Sequence, residues 1–147
     1  MAKSTINNIR AFNRYYTNVI GLLDKGYLET KYSLTEARIL FEIYSAGKID
    51  TSEIIDATLI DKSYLSRILK KLEKDKLITR SKSAKDSRVS QVTLTEKGLI
   101  ELNYLNELTD RLIEKLLEDL TLKDQKNLVL HMNSIIQILN NKSLNIT

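Results

Sequence analysis

Ser63, Arg67, Lys70 and Lys74 stand four, three and four residues apart within "DKSYLSRILKKLEKDKLITR", residues 61–80. At about 100° per residue they share one side of a helix, opposite Leu65, Ile68, Leu69 and Leu72. The chemistry such a face can do is binding rather than bond breaking. Ammonium and guanidinium groups attract anions, and hydroxyls donate and accept hydrogen bonds. Just beyond, Arg80, Lys82, Lys85 and Arg88 surround one carboxylate, Asp86. Residues 62–88 hold ten Lys/Arg against three Asp/Glu, a net +7, whereas the remaining 13 basic and 16 acidic residues leave −3. The whole positive excess therefore lies in one contiguous segment, which implies a polyanionic partner. Charge alone does not choose among DNA, RNA and a membrane surface.

Composition removes several other classes. At 147 residues the chain fits one domain, or one core with long helical extensions. Hydrophobic residues make up 42%, too many for a disordered chain. No cysteine is present, which excludes disulfides, thiolate metal sites and thiol redox sensing. His131, the one histidine, sits in an apolar helical run without zinc-ligand partners. No apolar run approaches the roughly 20 residues that span a bilayer, and "MAKSTINNIRAFNR" lacks a signal-peptide core. A cytoplasmic protein without cofactor, metal or membrane contact is expected. Nothing supports catalysis either: there is no cysteine, a single histidine, no metal cluster and no phosphate-binding glycine loop.

The surrounding elements must hold the cationic face. Ile9, Phe12, Tyr16, Val19 and Leu23 step by three and four, predicting a first helix with a heptad-like seam that ends near Gly26. "ETKYS" reads as a loop, and Thr35 as the N-cap of a second helix facing Leu40, Ile43 and Tyr44 inward until Gly47 stops it. Asp50 with Glu53 resembles a capping box opening a short helix, and Asp61 caps the cationic one. Two short helices with a tight connection read as a helix-turn-helix. "LITRS" and "QVTLT", separated by "KSAKDSRVS", predict a β-hairpin, hence a wing. Thr95 caps a long helix through Leu102, Leu105, Leu112, Leu116 and Leu120, and Thr121 with Asp124 opens a last one through Leu128, Met132, Ile135 and Leu139. The predicted fold is mainly α. A winged helix-turn-helix core spans 34–98, flanked by dimerisation helices over 1–33 and 99–147. Apolar seams at both chain ends imply a homodimer.

"DKSYLSRILKKLEKDKLITR" followed by "KDSRVSQVTLTEKG" resembles the MarR family of bacterial transcriptional regulators. The wing's Asp-x-Arg is Asp86 and Arg88, and the closing Leu-Thr-x-x-Gly is Leu94, Thr95 and Gly98. Upstream, "IRAFNRYYTNVIGLLDKGYLETKYSLTEARILFEIY" looks most like the regulator half of MarR proteins fused to a GNAT acetyltransferase, although the chain ends at Thr147 without room for that enzyme. The sequence departs from the family pattern at Ile55, where a small residue is usual, and at Ser87, where arginine is common. Leu59 and Lys76 stand where the family usually has glycine.

The resemblance implies a homodimeric, sequence-specific regulator of double-stranded DNA, commonly a repressor, on a pseudo-palindromic site. Ser63 and Tyr64 would offer hydroxyls to base edges, and Arg67 a bidentate contact to guanine. Lys62, Lys70 and Lys71 would meet phosphates. In the wing, Arg88 would enter the minor groove with Asp86 holding its guanidinium, while Arg80, Lys82 and Lys85 contact the backbone. Many relatives release DNA on binding a small aromatic effector, and Tyr15, Tyr16, Tyr27 and Tyr32 lie where such a crevice is expected. The competing reading is a winged-helix adaptor that uses its basic face against an acidic protein.

Overall fold

The computed structural model describes residues 1–25 and 30–140. They form two compact units, Met1–Asp110 and the segment from Arg111 onward. Six helices and three strands are found among them, confirming a mainly helical winged helix. Helix α1 (Lys3–Lys25) carries the expected seam, with Phe12 stacked on Tyr16 at 5.6 Å between ring centres. The expected stop at Gly26 lies outside the described residues.

Helix α2 (Leu34–Ala46) starts two residues earlier than a Thr35 cap would require. Ser33 is the cap: its hydroxyl accepts the Glu36 N–H at 3.2 Å, and Glu36 Oε2 accepts the Ser33 N–H at 2.9 Å. This reciprocal pair satisfies two orphan donors at once, which a Thr35 cap, with Arg38 three residues on, could not do. Ala37, Ile39, Leu40 and Ile43 are buried as the seam requires, but Tyr44 points outward, 54% exposed. The turn ends at Gly47, whose φ of 73° suits a residue without Cβ.

A short strand unforeseen in the sequence follows, β1 (Lys48–Asp50). Asp50 is also the N-cap residue of α3 (Thr51–Thr58), but its side chain makes no capping bond, so the expected box with Glu53 does not form. Asp50 is the last residue of β1, paired with Gln91, and the strand sets the entry to the helix. The second helix of the motif, α4 (Lys62–Lys74), is capped as read: Asp61 Oδ2 accepts the N–H groups of Ser63 and Tyr64 at 3.0 and 3.2 Å. Leu65, Ile68, Leu69 and Leu72 are all buried.

Among the described residues, only Leu59 and Lys76 combine a side chain with positive φ, 55° and 62°. They are the two positions where glycine is missing from the resemblance. Leu59 ends α3 in the left-handed conformation. Lys76 sits in a Schellman motif closing α4: its N–H donates to Glu73 O at 3.0 Å, and the Leu77 N–H to Leu72 O at 2.9 Å.

Strands β2 (Ile78–Lys82) and β3 (Ser90–Leu94) make the wing, with sheet order β1-β3-β2, all antiparallel. Val92 is the buried centre of β3, opposite Arg80 on β2 and Ile49 on β1. Helix α5 (Glu96–Leu117) begins where Thr95 Oγ1 accepts the Gly98 N–H at 3.0 Å and donates to Lys76 O at 2.7 Å. Thus the left-handed turn after α4 and the start of α5 share one hydroxyl. Gly98 permits this approach, because an added Cβ would meet Leu77 O at 2.1 Å.

In the second unit, Leu120 stands beyond the end of α5 rather than within it, its N–H donating to Leu117 O at 2.9 Å. The Thr121 cap of α6 (Leu122–Asn140) forms as read, accepting the Asp124 N–H at 3.1 Å. No residue of α6 is buried, and Val129, Leu130, Ile136 and Ile138 are exposed. No described helix is long and apolar enough to cross a membrane.

Two stability changes are expected. Leu59→Gly and Lys76→Gly should each raise stability by up to about 1 kcal/mol by relieving the left-handed strain, a Tm rise of roughly 2–4 °C by calorimetry. Gly98→Ala should lower stability by about 1–3 kcal/mol in the same assay, because Leu77 O must move.

Candidate nucleic-acid interface

The leucine side of α4 is fully engaged, so the opposite side has no choice but to face solvent. Lys62, Ser63, Tyr64, Arg67, Lys70 and Lys74 are all exposed. Asp61 anchors the first turn through the N–H groups of Ser63 and Tyr64, fixing the backbone from which those hydroxyls project. The Arg67 guanidinium lies 5.7 Å from the centre of the Tyr64 ring. That cation–π contact holds a planar, five-donor group against a rigid face while leaving its edge outward.

Lys71 behaves differently from its neighbours. Its ammonium donates to Glu36 Oε1 and Oε2 at 2.9 and 3.0 Å, and to Lys31 O at 2.6 Å. The structure therefore does not bring Lys71 together with Lys62 and Lys70 as a third outward cation. It turns toward the start of α2. The reason is angular: Lys71 stands about 100° round the helix from Lys70, on the flank where the capping-box carboxylate of Glu36 waits.

In the wing, Arg80 lies on β2 and reaches Ser90 Oγ at 3.4 Å, while Lys82 ends the strand and is exposed. Ser83 is buried, its N–H donating to Val89 O at 2.8 Å and its hydroxyl accepting the Lys85 N–H at 3.2 Å. This closes the base of the tip. Asp86 Oδ1 accepts both the Arg88 backbone N–H at 3.0 Å and the Arg88 Nε–H at 3.2 Å. The backbone bond and the guanidinium hold the Asp86 carboxyl below the usual carboxylate range. The Arg88 side chain stays 89% exposed.

The three described tyrosines of the four have different surroundings. Tyr27 lies outside the described residues. Tyr15 is 70% exposed, and Tyr16 is stacked on Phe12. Tyr32 is only 4% exposed, and its hydroxyl donates to Asp75 Oδ2 at 2.8 Å. Burial, then that hydrogen bond and the nearby carboxylates, push its phenol far up, so it remains a donor at any ordinary pH. A cavity of about 290 Å³ is lined by Tyr32 together with Asp24, Thr30, Lys31, Ser33, Glu36 and Lys71, so one aromatic ring stands in a mainly polar and charged wall. An open groove of about 470 Å³, with Leu34, Phe41, Ile60 and Asn106 among its walls, went unread because its residues come from three separate stretches.

Asp75 joins these pieces. It ends α4, accepts the Tyr32 hydroxyl, and pairs with Lys31 at 3.3 Å. Partial burial works to raise its pKa, but the bonds from Tyr32 and Lys31 outweigh it and the net shift is downward. Spacing gave no signal for this cluster, since its hydrogen bonds join residues 35 and 43 positions apart.

The MarR family model matches residues 32–90, from Tyr32 to the first residue of β3. The transcriptional repressor IacR of Pseudomonas putida is 30% identical over 112 residues, covering 76% of this chain and 65% of its own, just under two thirds of that relative's length. The regulator SarZ of Staphylococcus haemolyticus is 28% identical over 140 residues, covering 94% of this chain and 92% of its own. Among solved structures, a mutant MarR of E. coli complexed with operator DNA superposes with a TM-score of 0.75 at 20% identity, covering 90% of this chain and 95% of that one. At that identity the likeness concerns the fold.

The depressed pKa of Asp75 has a testable sign. Its folded value lies below 3.8, so its contribution is complete above that pH and is lost as pH falls through the folded value. Asp75→Asn should therefore cost stability at neutral pH and much less in strong acid. Urea unfolding of both proteins at neutral pH and near pH 2 checks this.

Proposed function

We propose that this chain is a transcriptional regulator of the MarR type, a reading supported by the matching family model and by its similarity to IacR and SarZ, and that it reads double-stranded DNA with α4 and the wing as a homodimer. The observation that carries this reading is the division of α4. Four buried aliphatic residues fix one side, while Ser63, Tyr64, Arg67 and Lys70 project from the other. A helix with that exposed face matches the width and hydrogen-bonding pattern of a major groove. Arg67, pre-positioned by Tyr64, is the guanine reader. Ser63 and Tyr64 contact base edges, and Lys62 and Lys70 contact phosphates. In the wing, Arg88 enters the minor groove with its guanidinium held by Asp86, and Arg80, Lys82 and Lys85 follow the backbone.

Exposed apolar side chains support dimerisation by the chain ends: Ile9 and Phe12 on α1, and Val129, Leu130, Ile136 and Ile138 on α6. A two-fold dimer sets two reading helices about 34 Å apart, on a pseudo-palindromic site. Repression is the polarity proposed, consistent with the naming of IacR as a repressor. A small aromatic effector is part of the same proposal, with Tyr32, whose hydroxyl is bonded to Asp75, lining the cavity beside α4.

Binding assays with the chain's own upstream region test the reading. Arg67→Ala should lose discrimination at one base pair, worth about 1–3 kcal/mol. Lys70→Ala should weaken all duplexes alike and reduce the salt slope by about one. Footprinting should show two half-sites; protection of one isolated half-site would exclude the dimer, and equal sequence-independent losses would remove Arg67 from the reading role.

A further inference from the structure

The leucine side of α4 sets which face of the helix turns outward, but aliphatic contacts are non-directional and leave room for a small roll about that setting. A roll of about 20° moves a side-chain tip at the edge of a helix 10–12 Å across by roughly 2 Å. That displacement is enough to break a hydrogen bond to a base edge. Something polar and directional must resist it, and the last two turns of α4 contain such a device.

We propose that Lys71 and Asp75 are positioning residues, and that with Glu36 and Tyr32 they fix the roll of the DNA-reading helix; this rests on the reading of α4 given above. An ammonium has three donors, and Lys71 has three acceptors within hydrogen-bonding distance: Lys31 O at 2.6 Å, Glu36 Oε1 at 2.9 Å and Glu36 Oε2 at 3.0 Å. These bonds hold the ammonium toward the start of α2. Glu36 is itself held, because Oε2 also accepts the Ser33 N–H in the capping box of α2. One turn on, Asp75 accepts the Tyr32 hydroxyl at 2.8 Å, pairs with Lys31 at 3.3 Å, and receives the Lys97 ammonium on its carbonyl at 3.0 Å. The buried Tyr32 ring lies between these ties, 5.2 Å from the Lys71 ammonium and 5.6 Å from that of Lys31. Two successive turns of the reading helix are thus bonded to Lys31 and Tyr32, just before α2, and to Glu36 in its first turn. A cation in the most basic segment of the chain is used for internal alignment.

Exchanging charges tests this against the simpler idea that Lys71 meets a phosphate. Glu36→Lys adds positive charge beside the interface, so long-range attraction alone would tighten DNA binding. The alignment role expects it to weaken, by about tenfold at fixed salt, and Lys71→Glu likewise. The double variant, with charges exchanged, should recover to within about threefold of the parent chain. A phosphate role for Lys71 predicts no recovery. Where an exchange variant fails to melt cooperatively by circular dichroism, Lys71→Met decides alone. Weaker binding with an unchanged salt slope supports alignment, and a slope reduced by about one overturns it. Lys70→Met in the same series separates the two failures. If it alters neither affinity nor slope, the reading of α4 itself is wrong and this inference falls with it. If Lys70→Met behaves as a phosphate contact while the exchange shows no recovery, only the alignment role is lost.

Discussion

The burial of Leu65, Ile68, Leu69 and Leu72 gives every other side chain of α4 its direction. Each fully buried aliphatic side chain contributes about 1.5–3 kcal/mol, so the stripe as a whole resists any rotation that would expose it. At roughly 100° per residue, choosing which residues go inward also chooses which go outward. Ser63, Arg67, Lys70 and Lys74 need no contact of their own to be exposed. Their arrangement is the geometric complement of a hydrophobic one, and the strongest force in folding does the aiming.

The ends of α4 show how that force is supplemented. At the N-terminus Asp61 accepts two backbone N–H groups, so the first turn is rigid before any partner arrives. At the C-terminus the chain leaves through Lys76 in a left-handed turn, and the freed carbonyl of Lys76 accepts the Thr95 hydroxyl. The same hydroxyl receives the Gly98 N–H, so the exit from α4 and the entry to α5 are one hydrogen-bonded joint. The main-chain N–H of Thr95 donates to Leu77 O, adding a backbone tie to that joint. A strained backbone residue is tolerated where several independent bonds over-determine its conformation.

Much of this was legible in the sequence, for reasons that differ by element. The caps at Asp61, Thr95 and Thr121 could be read because a cap is a local bond between residues two or three apart. The left-handed turns at Leu59 and Lys76 were legible only through the resemblance, since leucine and lysine give no local hint of positive φ. Misreadings came where two local signals competed. Ser33 and Thr35 are both good caps, and the reciprocal bond with Glu36 decided for Ser33. Asp50 and Glu53 had the spacing of a box, yet the Asp50 side chain makes no capping bond. Strand β1, three residues long, is too short to show alternation, and only its partner β3 reveals it. The inward turn of Lys71 was beyond reach, because nothing near it in sequence announces Glu36.

The wing poses the opposite problem to α4: an exposed tip has no hydrophobic stripe to aim it. Arg88 is nearly as exposed as a side chain can be, and a free arginine carries about 2 kcal/mol of rotamer entropy. The sequence answers with polar closure at short range. Ser83 is buried at the base and bonded to Val89 and Lys85, and Asp86 binds the backbone and the guanidinium of Arg88 together. An exposed ion pair of this kind adds little to stability. Its effect is to narrow the conformations of Arg88 beforehand, so that less freedom is lost when the guanidinium meets a partner. Asp86 also lies in a segment whose net charge is strongly positive, and one carboxylate there lessens repulsion among Lys82, Lys85 and Arg88. The outward face of the helix is set by burial, and the direction of Arg88 at the wing by a carboxylate.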